Sequence, residues 1–240
     1  MRDRLKYGAA FGIMSLAVFG LAIMSDHVVT MVAWLYFGIT LALVSLAYLL
    51  HRPDLFGKRK DGSVPVWSYL VYLSYYQLNH LSLAIYRLQS AEAPWHQIAP
   101  GLFLGCRLRS SDKSAIDKLN ITCVLDLTSE FSEVPFLRRA ARYHNIPLLD
   151  ATAPTLAELQ TGLALLSESC AGGHDHIYIH CAAGHGRSAT YALAWMLRRN
   201  PSLRLEEALR QVIALRPGVK LSRSQHSVLE DFASNPALPA

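Results

Sequence analysis

A cysteine, two glycines, an arginine and a serine are crowded into His180-Cys181-Ala182-Ala183-Gly184-His185-Gly186-Arg187-Ser188. Ile177-Tyr178-Ile179 before this run reads as a buried strand, and the residues up to Arg199 after it read as a helix. A strand, a glycine-bearing turn and a helix start make an anion site, because the turn amides and the helix N-terminus present positive charge together. The same field lowers the pKa of a cysteine placed inside it. Arg187 can fork onto two phosphate oxygens, which a lysine cannot do.

Phosphoryl transfer fits these residue types. Cys181 is the expected nucleophile, through a thiophosphate ester, with Arg187 and the amides of Ala182, Ala183, Gly184, His185 and Gly186 holding the equatorial oxygens. Gly184 and Gly186 let the backbone approach the anion. Ser188 is expected to hydrogen-bond the departing sulfur, and His180 to orient the loop from beneath. Asp150 is the first candidate for general acid, at the end of a predicted strand and before the loop Ala151-Thr152-Ala153-Pro154; helix capping is its structural alternative. Asp126, in Val-Leu-Asp-Leu, ranks second. His185 is either a partial positive charge for the substrate or a solvated loop residue. Cys106, Cys123 and Cys170 read as small core residues. No histidine spacing suggests a metal site, His174-Asp175-His176 reads as a turn, and the chemistry needs no cofactor.

The loop resembles the signature His-Cys-x5-Arg-Ser/Thr of the protein tyrosine phosphatase superfamily. Its surroundings are most similar to the compact dual-specificity branch. Pro100-Gly101-Leu102-Phe103-Leu104-Gly105, the stretch from Asn120 to Leu127, and Asn145-Ile146-Pro147-Leu148-Leu149-Asp150 resemble that branch's opening strand, second core strand and acid-bearing strand. The resemblance covers about residues 95–235. It implies a three-layer α/β domain with a central mixed sheet flanked by helices, and it puts the general acid at Asp150. A rhodanese-like sulfur-transfer loop is the alternative, and the spacing from Cys181 to Arg187 argues against it.

The elements that must position this loop alternate along the second half of the chain. Strands are expected near 102–104, 121–127, 146–149 and 176–180, and helices near 112–119, 133–144, 155–170, 187–199, 203–215 and 222–233. The first half is different. Tyr7 to Ser25 carries no charge, and Val28 to Leu50 adds 23 further uncharged residues. Each run is long enough for a bilayer core, which takes roughly 20 residues. Arg2, Arg4 and Lys6 precede the first, Arg52, Lys58, Arg59 and Lys60 follow the second, and the turn between has no Lys or Arg. The positive-inside bias therefore puts both ends of a transmembrane hairpin in the cytoplasm. Lys58–Lys60 is also expected to meet anionic lipid heads.

Three domains follow: the hairpin with its basic flanks at 1–62, an amphipathic helix and linker at 63–94, and the catalytic domain at 95–240. In the middle segment Trp67, Leu70, Val71, Leu73, Leu78, Leu81, Ile85 and Leu88 fall on one side, and Ser68, Tyr72, Tyr75, Asn79, Ser82 and Tyr86 on the other. We read a helix lying on the inner membrane surface or on the catalytic domain, with a third span as the alternative.

The formal charge of +5 tracks the topology signal rather than a nucleic-acid partner, since the chain from Trp95 onward holds 15 Lys and Arg against 13 Asp and Glu. The expected partners are the lipid bilayer and a phosphorylated lipid or phosphoprotein substrate, and the four cysteines without close pairing suit a reducing compartment. The resemblance extends to enzymes acting on phosphatidylglycerophosphate, on phosphoinositides and on phosphoproteins. A loop without lysine favours a singly phosphorylated headgroup such as that of phosphatidylglycerophosphate. A tethered protein phosphatase and a catalytically silent phosphate-binding module are the alternatives.

Overall fold

Two uncharged runs fold back on each other before the sheet begins. The computed structural model describes residues 2–139, 142–169 and 176–234. Helix α1 (Arg2–Ile23) and helix α2 (Val28–Leu50) form an antiparallel pair, and both are long and apolar enough to cross a membrane. Small residues set their approach. A Cβ on Gly8 would meet the Leu49 side chain, and the Ser45 and Ser15 hydroxyls donate to the carbonyls of Gly8 and Gly38 at 2.7 and 2.8 Å.

Helix α3 (Val66–Gln89) kinks at Tyr72, whose backbone leaves helical geometry. Just before the kink, Tyr36 and Thr40 of α2 donate to the carbonyls of Leu70 and Val71 at 2.8 Å each, side chains inserted at the backbone ladder where the helix bends. The tyrosine side of α3 faces inward: Tyr72, Tyr75 and Tyr76 pack on Phe56 and share a buried cluster with Val44 and Tyr48 of α2 and with Leu149. The opposite side leaves Trp67, Leu70, Leu73, Leu78, Leu81, Ile85 and Leu88 exposed. Both readings of this helix's two-faced pattern therefore have a counterpart, one face on the protein and one open.

Five strands follow: β1 (Trp95–Ala99), β2 (Leu102–Gly105), β3 (Cys123–Thr128), β4 (Arg142–Leu148) and β5 (Ile177–His180). They lie in the order β1-β2-β5-β3-β4, with β1 antiparallel to β2 and the other neighbours parallel. Successive residues sort onto opposite faces. Phe103, Val124 and Tyr178 meet the short helices α4 (Lys113–Ile116) and α5 (Pro135–Arg138) on one face. Leu102, Leu104, Leu125, Leu127, Ile177 and Ile179 meet α6 (Leu156–Ser169), α7 (Arg187–Arg199), α8 (Leu205–Leu215) and α9 (Arg223–Ser234) on the other. The sheet between two helical layers is the expected α/β arrangement.

Three local expectations change. Strand β1 occupies residues read as the start of the domain after a linker. The helix expected over 112–119 is broken, with 3-10 turns on both sides of α4. The helix expected over 133–144 is only the single turn of α5, and Arg142 already pairs with Cys123 in β4. Phe136-Leu137-Arg138 do form that turn, but from Arg142 onward parallel pairing with β3 outweighs the weak helix preference.

Candidate active site

The loop between β5 and α7 sits at the C-terminal end of a central strand, where a parallel sheet opens a crevice. Cys181, Arg187 and Ser188 are all buried there. The Cys181 sulfur lies 3.3 Å from the Ser188 hydroxyl oxygen and accepts the Gly184 amide at 3.3 Å. Gly184 has φ +81°, and a Cβ there would strike the Gly105 carbonyl, so this turn requires glycine. Burial opposes ionisation of the Cys181 thiol. The Arg187 charge and the hydrogen bonds from Ser188 and Gly184 outweigh it, so the thiol is held below its ordinary range.

Arg187 is fixed from behind by Glu130, with bonds of 2.9 and 2.6 Å from its two terminal nitrogens, and by the Leu148 carbonyl at 2.8 Å. Glu130 is buried; desolvation would raise its pKa, but the guanidinium charge and hydrogen bonds hold it below the usual carboxylate range. The outer nitrogen of Arg187 also donates to Asp150 Oδ1 at 2.7 Å, and the Asp150 side chain is half exposed. The backbone carbonyl of Asp150 accepts from Tyr48 of α2 at 3.2 Å. Cys181, Arg187, Ser188 and Asp150 thus meet in one place. The acidic start of α6 is capped instead by Thr155 with Glu158, a reciprocal pair in which the hydroxyl and amide of Thr155 donate to the carboxylate.

Beneath the loop lies a charged layer with no opening to the cavity. His180 Nε2 stands 2.7 Å from Glu133 Oε2 and 3.9 Å from Asp126 Oδ1. Asp126 Oδ2 accepts from Lys58 Nζ and from the Tyr143 hydroxyl, each at 2.6 Å. Lys58 also donates to the Thr128 carbonyl and hydroxyl at 2.7 and 2.8 Å. Two expectations fall here. Asp126 is sealed by Lys58, Tyr143 and Thr128, so it is not positioned as a general acid; desolvation is outweighed by the Lys58 charge, which holds its carboxyl well below the usual range. The Lys58 side chain is fully buried in this layer and does not face lipid heads. The donor atoms of Asp126, Glu133 and His180 lie within 4.8 Å of one another, as in a metal site. The Lys58 ammonium already supplies the compensating cation there, so these residues do not fit a resident metal.

The front of the loop is tied to the segment after α3. Buried Arg216 donates to the carbonyls of Gly184 and Ala183 at 2.8 and 2.9 Å and lies 3.1 Å from Glu92. His185 Nε2 contacts Glu92 Oε2 at 2.6 Å and the Tyr86 hydroxyl at 3.0 Å. His185 is therefore a partnered, half-buried residue and not a solvated loop residue. Glu92, Glu130, Glu133, Lys58 and Arg216 carried no sequence signal as site residues.

Cys181 and Arg187 open into a cavity of about 440 Å³. Ala182, Ala183, His185 and Gly186 line its floor, and Lys220, Ser222 and Gln225 one wall. Phe131, Asp150 and Ala151 also line it, as do Asp3, Lys6 and Tyr7 of α1 and Asn79, Ser82, Leu83 and Tyr86 of α3. Cys106 and Cys123 are buried elsewhere in the core. Cys170, His174 and Asp175 lie outside the described residues. His176 is bound to the Leu119 carbonyl through Nδ1, far from the loop in its contacts.

Residues 102–235 match the family model of the dual specificity phosphatase catalytic domain. The chain is 27% identical over 157 residues to phosphatidylglycerophosphate phosphatase PTPMT2 of Arabidopsis thaliana, covering 63% of this chain and 68% of that protein. It is 29% identical over 148 residues to the human phosphatidylglycerophosphatase and protein-tyrosine phosphatase 1, covering 58% and 72%. It is 30% identical over 138 residues to mouse dual specificity protein phosphatase 14, covering 58% and 68%. Among solved structures, Tk-PTP in its active form superposes with a TM-score of 0.52 at 26% identity, over 59% of this chain and 97% of that one. With a buried low-pKa cysteine above its sheet and a matching domain over more than half its length, the chain belongs to the dual specificity phosphatase family and is a cysteine-dependent phosphoric monoester hydrolase.

Proposed function

We propose that this chain is a membrane-anchored phosphatase that removes a terminal phosphate from a lipid headgroup, with Cys181 as nucleophile. The Cys181 thiolate attacks phosphorus and the ester oxygen leaves. Arg187 and the amides of residues 182–187 take up the charge on the equatorial oxygens. Asp150 gives the leaving oxygen its proton and then accepts one from the water that cleaves the phosphocysteine. The sulfur departs with a hydrogen bond from Ser188. An incoming phosphate competes with Asp150 for the outer nitrogen of Arg187, and the released carboxyl then faces the leaving group. His180, held by Glu133, orients the loop from below.

One observation carries the lipid reading: the rim of the catalytic cavity is built from the first turns of α1 and from the polar side of α3. In a bilayer the start of α1 and the end of α2 lie on one side, at headgroup depth. The exposed face of α3, with Trp67, Leu70, Leu78 and Leu81, then lies against the same surface. This supports a multi-pass protein of two spans with the catalytic domain in the cytoplasm, and domains bounded near 62 and 94. It also raises the effective concentration of lipid-borne phosphate at the site. The similarity to proteins named for phosphatidylglycerophosphate points the same way.

The test is kcat/KM of the full-length protein for phosphatidylglycerophosphate in mixed micelles against phosphotyrosyl peptides. We expect the lipid to lead. The reverse order makes the protein a tethered protein phosphatase, a reading favoured by its similarity to dual specificity protein phosphatases. Absence of vanadate-sensitive turnover of any phosphomonoester would leave a silent phosphate-binding module. Reporter fusions after Lys60 and after Ala240 should both behave as cytoplasmic; an exported second reporter refutes the topology.

A further inference from the structure

The cavity holds more positive charge than a single phosphate needs. Arg187, at its floor, is already balanced by Glu130 and Asp150. His185 is paired with Glu92. Asp3 accepts from the hydroxyls of Ser222 and Ser224 at 2.9 and 2.7 Å, which ties the start of α1 to the start of α9 and points its carboxylate at those hydroxyls. Two lysines on the rim are different. Lys6 of α1 and Lys220, in the turn before α9, both line the cavity, both are exposed, and neither has a carboxylate partner among the described residues. Lys6 has only the Tyr7 ring, 5.5 Å from its nitrogen. Far apart in sequence, the two are brought to one opening by the docking of α1 on α9.

We infer that Lys6 and Lys220 form a second anion subsite, which holds a phosphodiester of the substrate while its terminal phosphate sits at Cys181. This rests on the lipid reading above and narrows it to headgroups carrying two phosphates, a monoester outermost and a diester toward the acyl chains. The order of the groups follows from position. Lys6 lies at the start of a span, at headgroup depth, where a lipid's diester resides, and Cys181 lies at the cavity floor. Two flexible ammonium groups suit a diester, which has one negative charge shared over two oxygens and no fixed fork to match. The membrane hairpin then selects substrate as well as anchoring the enzyme.

The experiment compares phosphatidylglycerophosphate, which has both groups, with phosphatidic acid, which has the monoester alone, in the same micelles. The full-length wild type is set beside Lys6→Gln/Lys220→Gln and Lys6→Arg/Lys220→Arg. The expected result is that the glutamine pair lowers the kcat/KM ratio of the two lipids by ~10-fold or more, the usual loss for hydrogen bonds to a charged group. The arginine pair should restore most of that ratio. Deacylated glycerophosphoglycerophosphate should show the same loss, which separates the subsite from membrane attachment. An unchanged ratio in the glutamine pair, or an equal fall for both lipids, overturns the subsite and leaves the lipid reading standing. A wild type that prefers phosphotyrosyl peptides to both lipids overturns the lipid reading, and the subsite with it.

Discussion

The phosphate loop and the helical face made by α1 and α3 border one cavity but follow opposite rules. In the loop every polar group that matters has a fixed protein partner: sulfur with Ser188 and Gly184, Arg187 with Glu130, and the carbonyls of Ala183 and Gly184 with Arg216. On the helical face Asp3, Asn79 and Tyr86 bond protein groups, but Lys6 has no carboxylate partner among the described residues, and Trp67, Leu70, Leu78 and Leu81 stand exposed. A site that stabilises a transition state must be organised before substrate arrives. A substrate entrance has to leave some contacts open for the substrate to fill. The difference separates catalysis from access within a single opening.

The sharpest way to break this division is at the sulfur. Cys181→Ser should reduce turnover of every phosphomonoester to background while the thermal melt stays near that of the wild type, because serine does not ionise at neutral pH. Retention of a tenth of the activity on any substrate would remove Cys181 from the nucleophile's role. Asp150→Asn comes next, with an expected fall in kcat of ~10²–10⁴ for alkyl phosphates. The fall should shrink for aryl phosphates whose leaving group departs without a proton; an equal fall on both series would move the acid elsewhere.

The charged layer under the loop predicts a stability effect. Lys58→Met leaves Asp126 buried without its cation and should cost about 3–5 kcal/mol in denaturant unfolding. A change below 1 kcal/mol would mean that Tyr143 and Thr128 suffice, by the same measure of a buried pair. A smaller, pH-dependent effect is expected at His180. Burial alone would lower its pKa, but Glu133 and Asp126 raise it above the ordinary value of 6.5. A raised folded-state pKa contributes stability that is fully present below about 6.5 and is lost as pH rises through the higher folded value. The melting-temperature gap between wild type and Glu133→Gln should therefore be widest in mild acid and narrow toward alkaline pH; a gap independent of pH would show that His180 is neutral throughout.

The smallest effect on chemistry belongs to the open face. Leu70→Ser/Leu81→Ser should weaken the action on micellar lipid relative to a soluble aryl phosphate, since both side chains are more than half exposed at 67% and 56% and support little of the core. Equal changes on both substrates would place the face inside the protein's own packing and not against a membrane.

How much of this was legible beforehand varies with distance along the chain. The loop at 180–188, the two uncharged spans and the alternation of strands with helices were readable because each depends on neighbours a few residues apart. The pattern of α3 was visible too, but which side would meet protein was not: tyrosines went inward because Phe56 and Tyr48 offer them a packed aromatic cluster. The end of β4 was expected near 146–149, but its first residues, 142–144, were hidden in an apparent helix, since only their register with β3 marks them as strand.

By itself, then, the sequence determined the nucleophile's setting, the α/β order and two segments apolar enough for a bilayer. Tertiary structure alone decided which charges support the loop. Lys58 reaches Asp126, Glu130 reaches Arg187, and Glu92 reaches His185 and Arg216 across long stretches of chain. A buried charge must find its counter-charge in space, and nothing in the spacing of a linear chain records where that partner will stand.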